Sequence, residues 1–187
     1  MINSEKKALR LKYKTIRSNV KDRALSDRLI TESVLKSELY KNADRLYIYW
    51  SVASEVHTHN IISRALADGK LVALPRCEDT AGNMQFYYIA SLADLSEGMY
   101  GITEPTSTFR ADDYTADSLC IVPALSFDTN GYRLGYGKGY YDRFLSRFKG
   151  ISMGLCYDEC LSEALPYDDY DRKVNYIVTN TKIYEIR

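Results

Sequence analysis

The chain of 187 residues has one tryptophan, two histidines, four cysteines and four prolines, and each scarcity closes a line of interpretation. Cys77, Cys120, Cys156 and Cys160 form no C-x-x-C pair and stand in apolar or strand-like contexts. They read as buried free thiols, not as zinc ligands or a disulfide frame. His57 and His59 fall two apart on a predicted helix, so they do not share a face, and neither reads as a metal ligand or catalytic base. No run approaches the ~18 apolar residues of a membrane span, and the start MINSEKKALR has no apolar signal core; a cytoplasmic protein is expected. Net charge is missing as well, since 25 Lys and Arg balance 25 Asp and Glu. A nucleic-acid or acidic-membrane partner gains no support from that balance, and any anion recognition must be local. Finally, there is no G-x-S-x-G elbow, H-E-x-x-H helix or Walker A loop, so no nucleophile stands beside a base.

What is present centres on residues 122–144, VPALSFDTNGYRLGYGKGYYDRF, which hold Gly131, Gly135, Gly137 and Gly139 of the ten glycines. Residues 119–125 form an apolar run of strand length, 128–131 carry turn chemistry, and the chain from Tyr140 can be helical. The glycines therefore lie on a loop between strand and helix. Glycine lets backbone N–H groups approach a ligand closely, and a helix start adds unpaired N–H groups and partial positive charge. With Arg133 and Lys138 in the same loop, the segment is either a phosphate or nucleotide cradle or an ordinary glycine-rich turn. Tyr140 stands where the third glycine of a G-x-G-x-x-G dinucleotide fingerprint would be, which excludes that motif.

The length and a 45% hydrophobic content suit one domain over residues 1–187, since two would leave small cores. Leu9, Tyr13, Ile16 and Val20 mark a core-facing stripe on a first helix, and Lys6, Arg10, Lys14 and Arg17 form a basic row beside it. That row is either a solvated face or a set of cations reaching over an anionic ligand. A second helix is expected over 22–39, with Leu25, Leu29, Ile30, Val34 and Leu35 apolar. Residues 46–50 read as a strand, Thr58 or the residues before it as the cap of a helix running to Ala67, and 71–74 as a strand closed by Pro75. This β-α-β spacing predicts a parallel pair with a right-handed crossover. Trp50 and Glu55 then lie at and just beyond the carboxyl end of a strand, where open α/β sheets place ligands. Further strands are expected over 84–89, after a turn at 81–83, and over 151–157 and 174–179, the last in the chain, with a helix over 140–148. Residues 91–114 have no clear assignment.

Asp142 follows the glycine loop, and Asp168, Asp169 and Asp171 precede the final predicted strand. A hard divalent cation bound to substrate phosphates takes one or two protein carboxylates and keeps its waters, so Asp142 with one of that group would suffice. Otherwise these residues are a helix N-terminal acid and turn formers. Donors, a possible metal site and flat aromatic walls suit phosphoryl transfer, in which the protein positions reactants and stabilises spread negative charge.

The run F-D-x-x-G-x-R-L-G-x-G-x-G-Y-Y-D-R, residues 127–143, resembles the signature of the 5-formyltetrahydrofolate cyclo-ligase, or methenyltetrahydrofolate synthetase, family. The likeness extends to Lys6 and Arg10 as K-x-x-x-R, to Ser51, Glu55, Val56 and Thr58 as S-x-x-x-E-V-x-T, and to 74–76 as L-P-R. It continues through 101–105 as G-I-x-E-P and Pro166, Asp171 and Val174 as P-x-x-x-x-D-x-x-V. The resemblance implies an α/β fold with a mainly parallel sheet flanked by helices, similar to the sugar-phosphate isomerase and CoA-transferase superfamily. It implies ATP as co-substrate, Mg2+ as cofactor, and cyclisation of 5-formyltetrahydrofolate to 5,10-methenyltetrahydrofolate with release of ADP and phosphate. By the same resemblance Lys6, Arg10, Arg133, Gly135, Gly137, Lys138, Gly139, Tyr140 and Tyr141 would bind ATP, with Lys138 and Arg133 catalytic. Trp50, Glu55, Tyr136 and Tyr140 would meet the folate, and Asp142 and Asp171 the metal. A monomer or weak dimer is expected, with no nucleic-acid or membrane partner. Two positions depart from the pattern: Asn175 stands where many members carry aspartate, and Tyr136 where some carry arginine, which would remove one phosphate or carboxylate contact.

Overall fold

The computed structural model describes residues 2–79, 83–98 and 101–186. Among these, α1 (Ile2–Ser18), α2 (Arg23–Lys36) and α3 (Glu38–Asn42) precede β1 (Arg45–Ile48), α4 (His59–Ala67) and β2 (Leu71–Cys77). Then come β3 (Met84–Ile89), β4 (Leu95–Glu97), β5 (Thr103–Pro105), β6 (Ser118–Val122), β7 (Ser126–Asp128) and β8 (Arg133–Leu134). The chain closes with α5 (Tyr140–Leu145), β9 (Ile151–Leu155), β10 (Leu161–Ser162), β11 (Tyr176–Val178) and β12 (Ile183–Glu185).

The main sheet has the order β12-β11-β9-β6-β1-β2-β3. Its inner strands β11, β9, β6, β1 and β2 pair in parallel, and β12 and β3 close the two edges antiparallel. The crossover β1-α4-β2 is the parallel unit that the spacing predicts. Leu46, Tyr47 and Ile48 are all 0% exposed. Since neighbouring strand residues point to opposite faces, the sheet is covered on both. On one face Tyr47 meets Phe86, Phe144 and Phe148 in an aromatic cluster that seats α5. A small second sheet, β10-β7-β8, carries the glycine-rich segment. It lies against β9 at Gly154, where the fully buried Phe127 ring occupies the space a side chain would need.

Several expectations change. The helix predicted over 22–39 is two helices, because Ser37 is extended. Its hydroxyl donates to Val34 O at 2.7 Å and accepts from Tyr40 N at 3.2 Å, ending α2 and capping α3. Leu25 and Leu29 are exposed while Ser26 and Thr31 are buried; the apolar residues of α2 do not form a single stripe. Pro75 lies inside β2 instead of closing it. Pairing with β1 ends at Ala73, so Pro75 pairs on one side only, where a missing N–H is tolerated. The strand expected over 84–89 is β3, which pairs antiparallel with β2 at the sheet edge; Ala81 and Gly82 of the predicted turn lie outside the described residues. Residues 174–179 contain β11 but not the last strand, which is β12. The helix after the glycine loop stops at Leu145 and the following strand at Leu155. Within 91–114, β4 and β5 pair as a hairpin after a short turn with a Ser91–Asp94 capping box.

Candidate active site

A cleft of about 990 Å3 opens at the carboxyl ends of β1, β2 and β6, bounded by α1, the glycine loop and residues 168–172. Every residue that the sequence marks for ATP, folate or metal lines it: Lys6, Arg10, Trp50, Glu55 and Arg133, Gly135 through Asp142, and Asp171.

The basic row of α1 is not a solvated face. Lys6 and Arg17 are buried, Arg10 half-buried, and only Lys14 is exposed. Lys6 Nζ bonds to the carboxylates of Asp168, at 3.2 Å, and Asp171. The contact keeps the ammonium charged, its pKa raised against the opposing effect of burial. Arg10 Nε donates to Gly135 O at 2.9 Å. Its guanidinium lies over Gly137, where a Cβ would come within 3.1 Å and φ is +95°. The positive φ favours glycine there, and a side chain would in addition crowd the guanidinium.

The loop leaves β8 at Arg133. That side chain is 5% exposed and pairs through Nη2 with Asp142 Oδ2 at 2.7 Å. Its Nε has no partner, nor does the buried Tyr141 hydroxyl. Burial holds that phenol well above its usual pKa, so it is a neutral donor without an acceptor. Lys138, by contrast, is exposed near the loop's tip, and the Arg143 guanidinium donates to its carbonyl at 2.6 Å.

Glu55 is brought in by the loop after β1. Ser51 N donates to Thr58 Oγ1 and Thr58 N to Ser51 Oγ, both at 3.1 Å, while Thr58 Oγ1 donates to Tyr49 O at 2.7 Å. Thr58 thus staples the loop instead of capping α4 with its side chain. Glu55 Oε2 accepts from Val52 N at 3.0 Å and Oε1 from Tyr136 at 2.9 Å. Burial raises its pKa, and the two hydrogen bonds and the Arg17 charge work against that rise. Trp50 stacks on His59 at 3.6 Å, and His59 meets His57 at 4.3 Å between ring centroids. The two histidines therefore do make contact, because His57 precedes the helix and does not follow its phase.

Asp142 also accepts from Arg172 N at 3.2 Å, which sets it beside Asp171. Two hard oxygen donors on one lip suit Mg2+ held mainly by water and phosphate; no cluster of three or more His, Cys, Asp or Glu donors occurs among the described residues. Asn175 lies elsewhere, accepting from Ser152 N and Ser152 Oγ at 2.8 Å each, and secures β9. Tyr136 does lose a cationic side chain, yet it makes a carboxylate contact of its own. Residues the sequence did not single out complete the wall. Glu104, 6% exposed, accepts from Cys77 N at 3.1 Å, and its place in G-I-x-E-P was the available signal. Cys77 itself is only half-buried, unlike the other three thiols.

The family model for the 5-formyltetrahydrofolate cyclo-ligase family matches residues 2–180. The chain is 30% identical to the mouse (Mus musculus) 5-formyltetrahydrofolate cyclo-ligase over 95% of its length and 94% of that protein's. It is 30% identical to the Escherichia coli K12 cyclo-ligase over 76% and 81% of the two chains. Among solved structures, Aquifex aeolicus 5,10-methenyltetrahydrofolate synthetase superposes with a TM-score of 0.85 at 32% identity, covering 97% of this chain and 93% of that one. The Mycoplasma pneumoniae synthetase, at 19% identity and a TM-score of 0.69 over 94% and 99% of the chains, shares the fold. On the match of the whole chain and of a cleft that gathers the signature residues, this protein belongs to the 5-formyltetrahydrofolate cyclo-ligase family.

Proposed function

We propose that the cleft converts 5-formyltetrahydrofolate and ATP into 5,10-methenyltetrahydrofolate, ADP and phosphate. The observation that carries this reading is convergence: cations of α1, the glycine loop and the Trp50–Glu55 loop, distant in sequence, share one cavity. Lys6, Arg10, Arg133, Lys138 and the loop N–H groups supply the positive field a triphosphate needs. Trp50, Glu55, Tyr136 and Tyr140 supply a flat apolar wall with a carboxylate for the folate. Asp142 and Asp171 would hold Mg2+, which when bound neutralises phosphate charge.

An amide nitrogen shares its electron pair with the carbonyl, leaving the formyl oxygen electron-rich. That oxygen attacks the γ-phosphorus and the bond to the bridging oxygen of ADP breaks. Lys138 meets the charge that spreads over the phosphoryl oxygens. The formyl carbon now carries phosphate as a leaving group. Nitrogen 10 of the same folate attacks it, loses its proton to solvent or to the departing phosphate, and expels the phosphate with the C–O electron pair. The new ring has five members, so the attack is intramolecular and gains from proximity. No protein nucleophile takes part, in keeping with a cleft built from donors and aromatics.

The direct test is purified protein with Mg-ATP and 5-formyltetrahydrofolate, followed by ADP release and by the absorbance of the methenyl product. Folate-dependent appearance of both is expected, and the absence of both would refute the assignment. Tyr141→Phe separates site from scaffold. Deleting a buried hydroxyl that has no partner should leave the melting temperature unchanged or slightly raised, while kcat/KM falls about tenfold as the ligand loses one donor. A fall in stability with unchanged turnover would place that hydroxyl in the scaffold.

A further inference from the structure

Arg17 stands apart from the other cations of α1. It does not line the main cleft but sits behind its wall, 5% exposed, with a smaller cavity on the far side bounded by Lys14, Val52, Ala53, Glu55 and Tyr136. Its guanidinium donates to three segments that build the wall, once from each nitrogen. Nε donates to Ser54 Oγ at 3.1 Å, Nη1 to Ala124 O at 2.9 Å, and Nη2 to Tyr136 Oη at 2.6 Å. The last bond decides the direction of the next. A guanidinium can only donate, so the Tyr136 oxygen must accept, and its single proton is left for Glu55 Oε1 at 2.9 Å. With Oε2 held by Val52 N, the carboxylate has both oxygens anchored and a free lone pair on each for a ligand.

We propose that Arg17 is a positioning residue for substrate recognition: acting through the Tyr136 hydroxyl, it holds Glu55 as a fixed, ionised acceptor on the cleft wall. Tyr136 itself carries no charge; it passes the influence of a cation on α1 to the carboxylate. That the ligand met by Glu55 is a folate rests on the proposed function, whereas the relay itself is a property of the free protein.

The relay has a pH signature. The charged and titratable groups around Glu55 are Arg17 and Lys14 from α1, Tyr49 beyond β1, Tyr136 and Tyr141 from the glycine loop and α5, and Tyr157, whose hydroxyl lies 3.4 Å from Glu55 O; beyond them stand His57 and His59 on its own loop and α4, and Asp27 of α2, which accepts from His57 N and the Tyr157 hydroxyl. The Tyr136 hydroxyl is pushed up to about 12, and burial holds Tyr49, Tyr141 and Tyr157 above their usual values. These phenols therefore stay neutral up to weakly alkaline pH and do not change the charge beside the carboxylate there. Arg17 lowers its pKa against burial, so losing Arg17 raises that pKa, and protonation on acidification begins at a higher pH.

The test compares Arg17→Met and Tyr136→Phe with the parent. Tyr136 is 49% exposed, so its variant should fold even where the buried arginine cannot be replaced. Each is expected to raise the KM for 5-formyltetrahydrofolate about tenfold at pH 6 and less than about threefold at pH 9, with the KM for ATP unchanged. The double variant should be no worse than the worse single, since both break one relay. Carboxyl-13C NMR of Glu55 in substrate-free protein should show its midpoint moved upward in either variant. A KM ratio independent of pH, additive losses, or an unmoved Glu55 midpoint would overturn the relay. If the parent turns over no 5-formyltetrahydrofolate, the proposed function fails, and the NMR midpoint alone decides the relay.

Discussion

Lys138→Ala is expected to lower kcat by about 10²–10³-fold while the KM for 5-formyltetrahydrofolate stays within about threefold of the parent. The lysine is exposed near the tip of the glycine loop and lies in the cleft, so its removal takes away no packing. On the proposed mechanism, what is lost is a point charge facing phosphoryl oxygens whose charge redistributes as the γ-phosphate moves to the formyl oxygen. Interactions that strengthen only on the way to the transition state appear in kcat and leave ground-state binding alone. Single-turnover measurement of ADP formation, with folate affinity taken separately by equilibrium binding, distinguishes the two. Equal losses in affinity and turnover would show that Lys138 serves binding only.

Gly154→Ala should damage the fold severely for so conservative a change. A Cβ on this β9 residue would lie 2.4 Å from two carbons of the Phe127 ring, and that ring is 0% exposed, so it cannot swing into solvent. Overpacking of this kind costs about 1–3 kcal/mol, which in a chain of this size lowers Tm by roughly 2–12 °C. The damage should reach the site. Phe127 pairs across β7–β8 with Arg133, so moving the ring moves the start of the glycine loop and should raise the KM for ATP. Phe127→Leu introduced with Gly154→Ala should recover part of the lost Tm by relieving the clash. A melting temperature within 1 °C of the parent in Gly154→Ala alone would count against this account.

Much of the sheet is legible because period and punctuation agree. The apolar run of β1, the amphipathic α4, the break at Asp68–Gly69 and β2 read directly as a crossover. The glycine loop and its charged partners are equally visible, and they meet in one cleft. Less legible are features that depend on partners remote in sequence. The strands β7 and β8 span three and two residues, too short for any alternation to register. The burial of Arg17 is invisible in α1, because its acceptors lie at residues 54, 124 and 136. Periodicity marks it only as one of a basic row. Likewise Asp142 and Asp171 look like independent carboxylates until Arg133 and Lys6 are seen to occupy them.

The bond from Lys6 to Asp171 joins positions 165 residues apart, and Arg10 to Gly135 spans 125. During synthesis the first helix therefore leaves the ribosome long before anything it must grip exists. The two sides of the cleft come together only once residues 135 and 171 are both free. An N-terminal fragment ending before the 168–172 turn can hold β1, α4 and β2 yet has no closed cleft. The proposed phosphoryl transfer therefore has no finished site on a nascent chain that stops short of Asp171.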